Sequence, residues 1–164
     1  MIRAVASVLC AGLVLSGCSA TPGPGESRAA VGEMRDAVVD TVLELADALS
    51  SQGIEVTSAA GDYSVCGVEP SSSVEFGAGA GTTADSGAVT DQLEVIREVV
   101  REAGWDEDGT ERQVYAVKGD LRVTAQDSRA EPGRLAIEVV HDCVDADRDV
   151  VDELLSEGGV QIVD

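Results

Sequence analysis

Between residues 27 and 51, Val31, Met34, Val38, Val42, Leu45 and Leu49 recur at steps of three and four, while Glu33, Arg35, Asp36, Asp40, Glu44 and Asp47 fall mostly between them. Such spacing lines one side of a helix, so it predicts a long amphipathic helix packed on the domain and stopped at Gly53. A second helix is predicted over 89–103, where Leu93, Ile96, Val100 and Ala103 form the apolar stripe and Val99 widens it. Gly104 can take the left-handed conformation past its end, which lets Trp105 fold back over the last turn.

Elsewhere the period shortens to two. Residues 63–68 and 73–78 predict a pair of strands separated by Glu69-Pro70-Ser71-Ser72, with Val74, Phe76 and Ala78 alternating against Ser73 and Glu75. The Gly-, Ala-, Thr- and Ser-rich stretch 77–87 predicts a mobile loop. After a turn at Asp106-Glu107-Asp108-Gly109, three more strands are predicted over 113–118, 121–127 and 134–142, joined by Gly119-Asp120 and by a longer connection through Pro132-Gly133. A short helix over 148–156 follows, and 160–163 is placed to dock as a small extra strand. The order α-β-β-α-β-β-β-α predicts one α+β domain over 27–164, an antiparallel sheet of about five strands with helices on one face.

The N-terminus is organised differently. Arg3, an apolar stretch 4–15 and small residues before Cys18 have the parts of a secretory signal. Ser7, Gly12 and the Ser16-Gly17 pair keep the stretch well short of the ~20 apolar residues that a membrane span needs. Leu15-Ser16-Gly17-Cys18 resembles the lipobox of a bacterial lipoprotein precursor. That resemblance implies removal of residues 1–17, a diacylglycerol on the Cys18 thiol, and a flexible tether over 18–26 that includes Thr21-Pro22-Gly23-Pro24-Gly25. Two or more acyl chains, at about 0.8 kcal/mol per buried methylene, would hold the protein durably at the outer face of the cell membrane.

The four cysteines then separate by fate: Cys10 leaves with the signal, Cys18 carries lipid, and Cys66 and Cys143 remain. In an oxidising envelope the remaining two are expected to pair, closing a loop of about 78 residues and contributing roughly 4 to 5 kcal/mol on the chain-entropy model. Neither has a second cysteine or a histidine at ligand spacing, which argues against a metal pair. In a strand over 134–142, Leu135, Ile137 and Val139 share a face that, continued, includes His141 and Cys143, so Cys143 is expected to point toward the core and reach Cys66 there.

Charge narrows the partners. The chain of 164 residues carries 31 acids against 11 Lys and Arg, a formal net charge of −20, and loss of residues 1–17 removes Arg3 and no acid. Lys118 is the single lysine, and no basic cluster exists. Nucleic acid and anionic headgroups would be repelled at long range. The hydrophobic content of 44% is nevertheless that of a folded domain.

Cys66-Gly67 on a strand, Gly104-Trp105 ending a helix, a hairpin, and Cys143 closing the last strand together resemble the small secreted lipoproteins of high-GC actinobacteria, many of them without an assigned activity. The resemblance covers most of the chain after Cys18 and implies a location and a fold type. It carries over no catalytic residues, and the acidic tail beyond Cys143 departs from the family's usual ending.

Candidate chemistry is sparse. Asp142, Asp145, Asp147 and Asp149, followed by Asp152 and Glu153, offer the carboxylates that a hard cation needs. An EF-hand loop started at Asp145 fails at Val150, where glycine is required, and at Ser156, where a bidentate glutamate belongs. Asp145, Asp147 and Asp149 remain loose metal candidates, and an acidic run at a helix N-terminus complementing the dipole is the favoured account of them. Gly77-Ala78-Gly79-Ala80-Gly81 lacks the third glycine of a dinucleotide loop, with Thr82 and Ala84 in its place. His141, the only histidine, has no nucleophile elbow beside it and is expected to be a partly buried structural residue. The expectation is a membrane-anchored, non-catalytic binding or accessory domain of the envelope, without cofactor, whose partner is an envelope protein or small ligand. The alternatives are an envelope hydrolase near His141 and a cation-binding acidic surface protein.

Overall fold

The computed structural model describes residues 22–67, 72–83 and 87–163. The lipobox at Leu15–Cys18, the predicted signal over 1–17, and Val68 at the end of the first predicted strand lie outside those residues. Among the described residues no helix is long and apolar enough to cross a membrane.

Among the described residues, three helices and eight antiparallel strands form an α+β domain. Helix α1 spans Pro24–Ser51, three residues longer at its start than the apolar stripe predicts. Gly23 is the cap residue and its N–H donates to Glu26 Oε2 at 3.3 Å, while Pro24 occupies a first-turn position where its missing N–H costs nothing. Residues 24–26, assigned by composition to the tether, are therefore helical. Strands β1 (Val56–Cys66) and β2 (Ser73–Thr82) pair next, followed by α2 (Val89–Glu102). A two-residue strand β3 (Asp106–Glu107) precedes the hairpin β4 (Gln113–Lys118) and β5 (Leu121–Asp127), then β6 (Leu135–His141). Strand β7 (Val144–Asp145), α3 (Arg148–Glu157) and β8 (Val160–Val163) complete the chain.

The sheet order is β3-β4-β5-β6-β2-β1-β8, with β7 also on β2. Five of the eight strands match the predicted ones, β8 docks on β1 as the predicted extra strand, and β3 and β7 were not foreseen. One face of the sheet, through Ala59, Tyr63, Phe76, Ala78, Val114, Val123, Ile137 and Val139, meets Val38, Val42, Leu45 and Leu49 of α1 and Leu93, Ile96 and Val100 of α2 in one core.

The predicted mobile loop over 77–87 is corrected by strand β2, which runs through the glycine-alanine repeat to Thr82. Likewise β1 begins at Val56 rather than at Tyr63. Both extensions escape the usual strand pattern because their core positions are small. Ala59, Gly61, Ala78 and Ala80 sit beneath the bulk that α1 supplies. Gly61 has a specific reason to be glycine. A Cβ there would stand 2.4 Å from Phe76 Cζ and 2.7 Å from Cε1, so the fully buried Phe76 ring occupies the space a side chain would need.

The expected orientation of Cys143 is also corrected. Between the Val140–Gly77 and Val144–Val74 pairs, the chain advances four residues against three on β2. That bulge reverses the alternation, since one extra residue exchanges the two faces. Val144 thus takes the core side, while Cys143 turns with Asp145 to the face without helices, where Ser73 and Cys66 also lie. The Cys66–Cys143 disulfide is present, with Cα atoms 6.1 Å apart, but Cys143 is exposed rather than buried.

Candidate functional site

Helices α1 and α2 end in the same way and at the same place. Gly53 (φ 81°) lets Ile54 N–H reach back to Leu49 O at 3.0 Å, and Gly104 (φ 79°) lets Trp105 N–H reach Val100 O at 3.0 Å. Both motifs fold an apolar residue under the helix end, Ile54 at 2% exposure and Trp105 at 8%, as the Gly104-Trp105 signal predicts. The two ends converge on a groove of about 220 Å³. Its floor is Leu45 and Ala48 from α1, Val99 from α2, Ala103 at the α2 cap, and Trp105. Glu44 and Glu102 stand among its lining residues, and among the described residues neither has an ion pair.

The electrostatics of this groove follow from its construction. A helix C-terminus carries about half a negative charge on its unsatisfied carbonyls. Two such ends meet here, beside two carboxylates, and α1 has no basic residue in its last turn. Two cations partly compensate: Arg101 lies in the last turn of α2, and Lys118 Nζ donates to Ala103 O at 2.9 Å and lies 5.9 Å from the centre of the Trp105 ring. The result is an apolar floor under a negative rim.

A buried carboxylate fixes the α2 wall. Glu107, in the segment the sequence pattern puts in a turn, lies in β3 with its side chain only 7% exposed. Arg101 Nη2 donates to its Oε2 at 2.7 Å, Gly109 N–H donates to its Oε1 at 3.0 Å, and Arg97 Nε lies 3.4 Å from Oε1. The Arg101 hydrogen bond holds the carboxyl below its ordinary range, helped by Gly109 and both guanidinium charges and opposed by burial. Gly109 must lack a side chain, because a Cβ would stand 2.4 Å from Gln113 O and 2.7 Å from Glu107 Oε1. Arg97 also donates to Thr110 O, so three elements are knotted at one point.

A second cleft, about 210 Å³ between α1 and α3, gathers Arg28, Arg35 and Tyr63 with Glu153 and Glu157. Both of its arginines are paired: Arg28 with Glu153 at 2.6 Å and Arg35 with Asp36, outside the cleft, at 2.9 Å. Burial pushes the Tyr63 hydroxyl above its usual range.

The loose metal candidates are dispersed into structural roles. Asp145 Oδ1 accepts from Ser73 Oγ at 2.7 Å, tying β7 to β2. Asp147 caps α3, its Oδ1 accepting from Asp149 N–H at 3.0 Å, and its own N–H donates to Ser27 Oγ at 2.8 Å. Asp149 lies in the first turn of α3, where a negative charge complements the dipole. His141 is partly buried, with Nδ1 2.8 Å from Asp142 O, a backbone tie two residues before Cys143. Cys18 lies outside the described residues. Comparison with protein families, characterised proteins and solved structures finds no match.

Proposed function

We propose that this chain is a non-catalytic binding domain carried on the outer face of the cell membrane by a lipid on Cys18, and that its ligand presents a cation on an apolar body. Only residues 19–23 separate Cys18 from helix α1, a reach of at most about 20 Å. A domain so tethered works close to the bilayer.

The observation that carries the binding reading is the α1–α2 groove, where Leu45, Ala48, Val99 and Trp105 line a floor beside two helix C-termini, Glu44 and Glu102. Apolar pockets with a few convergent polar groups are the usual form of a ligand site. An alkyl- or aryl-ammonium ion, or a lysine side chain on an apolar segment of an envelope protein, satisfies both halves of this one. The hydrolase alternative has less behind it, because the His141 ring is engaged with a backbone carbonyl.

Trp105 is the only tryptophan in the chain, so its emission reports on this groove alone. Titration with n-hexylammonium should shift that emission saturably, with a dissociation constant on the order of a millimolar for so small a ligand. The E44Q/E102Q double variant should bind about tenfold more weakly. Equal responses to n-hexylammonium and hexanoate would refute the assignment of the ligand class.

A further inference from the structure

The disulfide, exposed at Cys143 and half-buried at Cys66, lies over a carboxylate. Cys66 pairs with Ser73, so Glu75, two residues further along β2, points to the same helix-free face. Glu75 lies on β2 opposite the bulge between β6 and β7, and that bulge turns Cys143 to this face as well. As a result the two sulfur atoms and a Glu75 oxygen all lie within 4.8 Å of one another. Ser64 Oγ donates to Glu75 Oε1 at 2.9 Å and fixes the carboxylate beneath the sulfurs.

We propose that the Cys66–Cys143 bond is a redox gate over a soft-metal site: when it is reduced, the two thiolates and the Glu75 carboxylate bind a zinc-class divalent ion. A tetrahedral zinc ion, with bonds of about 2.3 Å to sulfur and about 2.1 Å to oxygen, sets its ligand atoms about 3.6 to 3.8 Å apart. Three donors already confined within 4.8 Å need only small side-chain movements to meet that geometry. Thiolates select a soft ion over calcium, and the fourth position is left to water.

The chemistry balances. An envelope dithiol delivers two electrons and two protons to the disulfide and leaves as its own disulfide, giving two thiols at Cys66 and Cys143. Metal entry then releases both thiol protons to solvent and forms two metal–sulfur bonds and one metal–oxygen bond. While both thiols are protonated, apparent affinity rises by up to about a hundredfold per pH unit. The backbone does not depend on the disulfide to hold the donors together, since β2 is paired with β1 on one side and with β6 and β7 on the other. Ser64 is a positioning residue for Glu75.

The test uses the whole chain in detergent with Cys10 and Cys18 replaced by serine, so that Cys66 and Cys143 are the only thiols. After phosphine reduction and removal of the reductant, Co²⁺ serves as the spectroscopic probe. The expected result is one ion per chain, with a thiolate-to-cobalt charge-transfer band, visible bands of tetrahedral intensity, and displacement by Zn²⁺. The oxidised chain and the C66S variant should show no such band. E75Q should bind at least about tenfold more weakly and S64A about tenfold more weakly. Should the reduced chain lose its fold, Co²⁺ is expected to restore the far-ultraviolet circular dichroism of the Glu75 chain and not of E75Q. Absence of the charge-transfer band in the reduced chain, an E75Q variant that binds like the parent, or a reduced chain that unfolds and is not restored by metal would each overturn the proposal.

Discussion

The β4–β5 half of the sheet and the β1–β2 half meet their helices in different ways. Under α2, Val114 and Val123 alternate with Ala116 and Ala125, so bulk is shared between strand and helix. Under α1, the middle of β1 and β2 offers only Ala59, Gly61, Ala78 and Ala80, and α1 supplies the bulk with Val38, Val42, Leu45 and Leu49. The large rings of that half are displaced toward one end, where Tyr63 and Phe76 meet at a tilt of 60° with centroids 4.8 Å apart. A strand can therefore be deeply buried and yet nearly free of large side chains, provided its helix fills the layer.

The contrast can be broken at Phe76. F76A should cost about 4 kcal/mol, because a fully buried ring leaves a cavity that the small residues around Gly61 cannot fill. Urea unfolding with an unchanged slope would measure it, and a cost below about 1 kcal/mol would contradict the account of this half.

On the α2 side the corresponding weak point is ionic. E107Q should destabilise the fold by about 2 kcal/mol at neutral pH by leaving Arg101 without its carboxylate and Arg97 with Glu94 alone. The Glu107 carboxyl is held below its ordinary value of 4.5, so its contribution is complete above that value and is lost as pH falls through the lower folded-state value. The difference between parent and E107Q should accordingly close in acid. A difference that stays constant from neutral pH down to about pH 3 would exclude the knot as its source.

The smallest expected effect sharpens the comparison most. G61A should cost about 2 kcal/mol in the parent, since the new methyl overlaps the Phe76 ring. In the F76A background the same change should cost well below that, with only the 3.2 Å approach of the new Cβ to Gly77 O left, giving a coupling of at least about 1 kcal/mol in a double-mutant cycle. Additive effects would mean that Gly61 is required by the backbone and not by the ring.

Which parts were legible in the sequence follows from the same contrast. The three helices, the β4–β5 hairpin and the folded-back Trp105 are written in bulky apolar residues and in Gly104, so periodicity and turn chemistry find them. The early part of β1 and the late part of β2 are written in Gly, Ala, Ser and Thr, which read locally as a loop and become strand only beneath α1. Cysteine counting predicts the Cys66–Cys143 bond, but not its face, because a one-residue bulge after Val140 leaves no mark in composition. The groove was illegible for another reason. Glu44 reads as a polar position on one helix and Glu102 lies on another, and only the convergence of the two C-termini makes them neighbours of Trp105.

The two halves meet at that groove, whose walls come from α1 and α2. The most direct test of its role is a heteronuclear NMR titration of the chain with n-hexylammonium. Shifts are expected to concentrate on the Trp105 indole N–H and on the amides of Leu45, Ala48, Val99 and Ala103, with none of comparable size for hexanoate. Shifts centred instead on the helix-free face around Gly79, Thr124 and Glu138, or spread evenly over the acidic surface, would contradict that role.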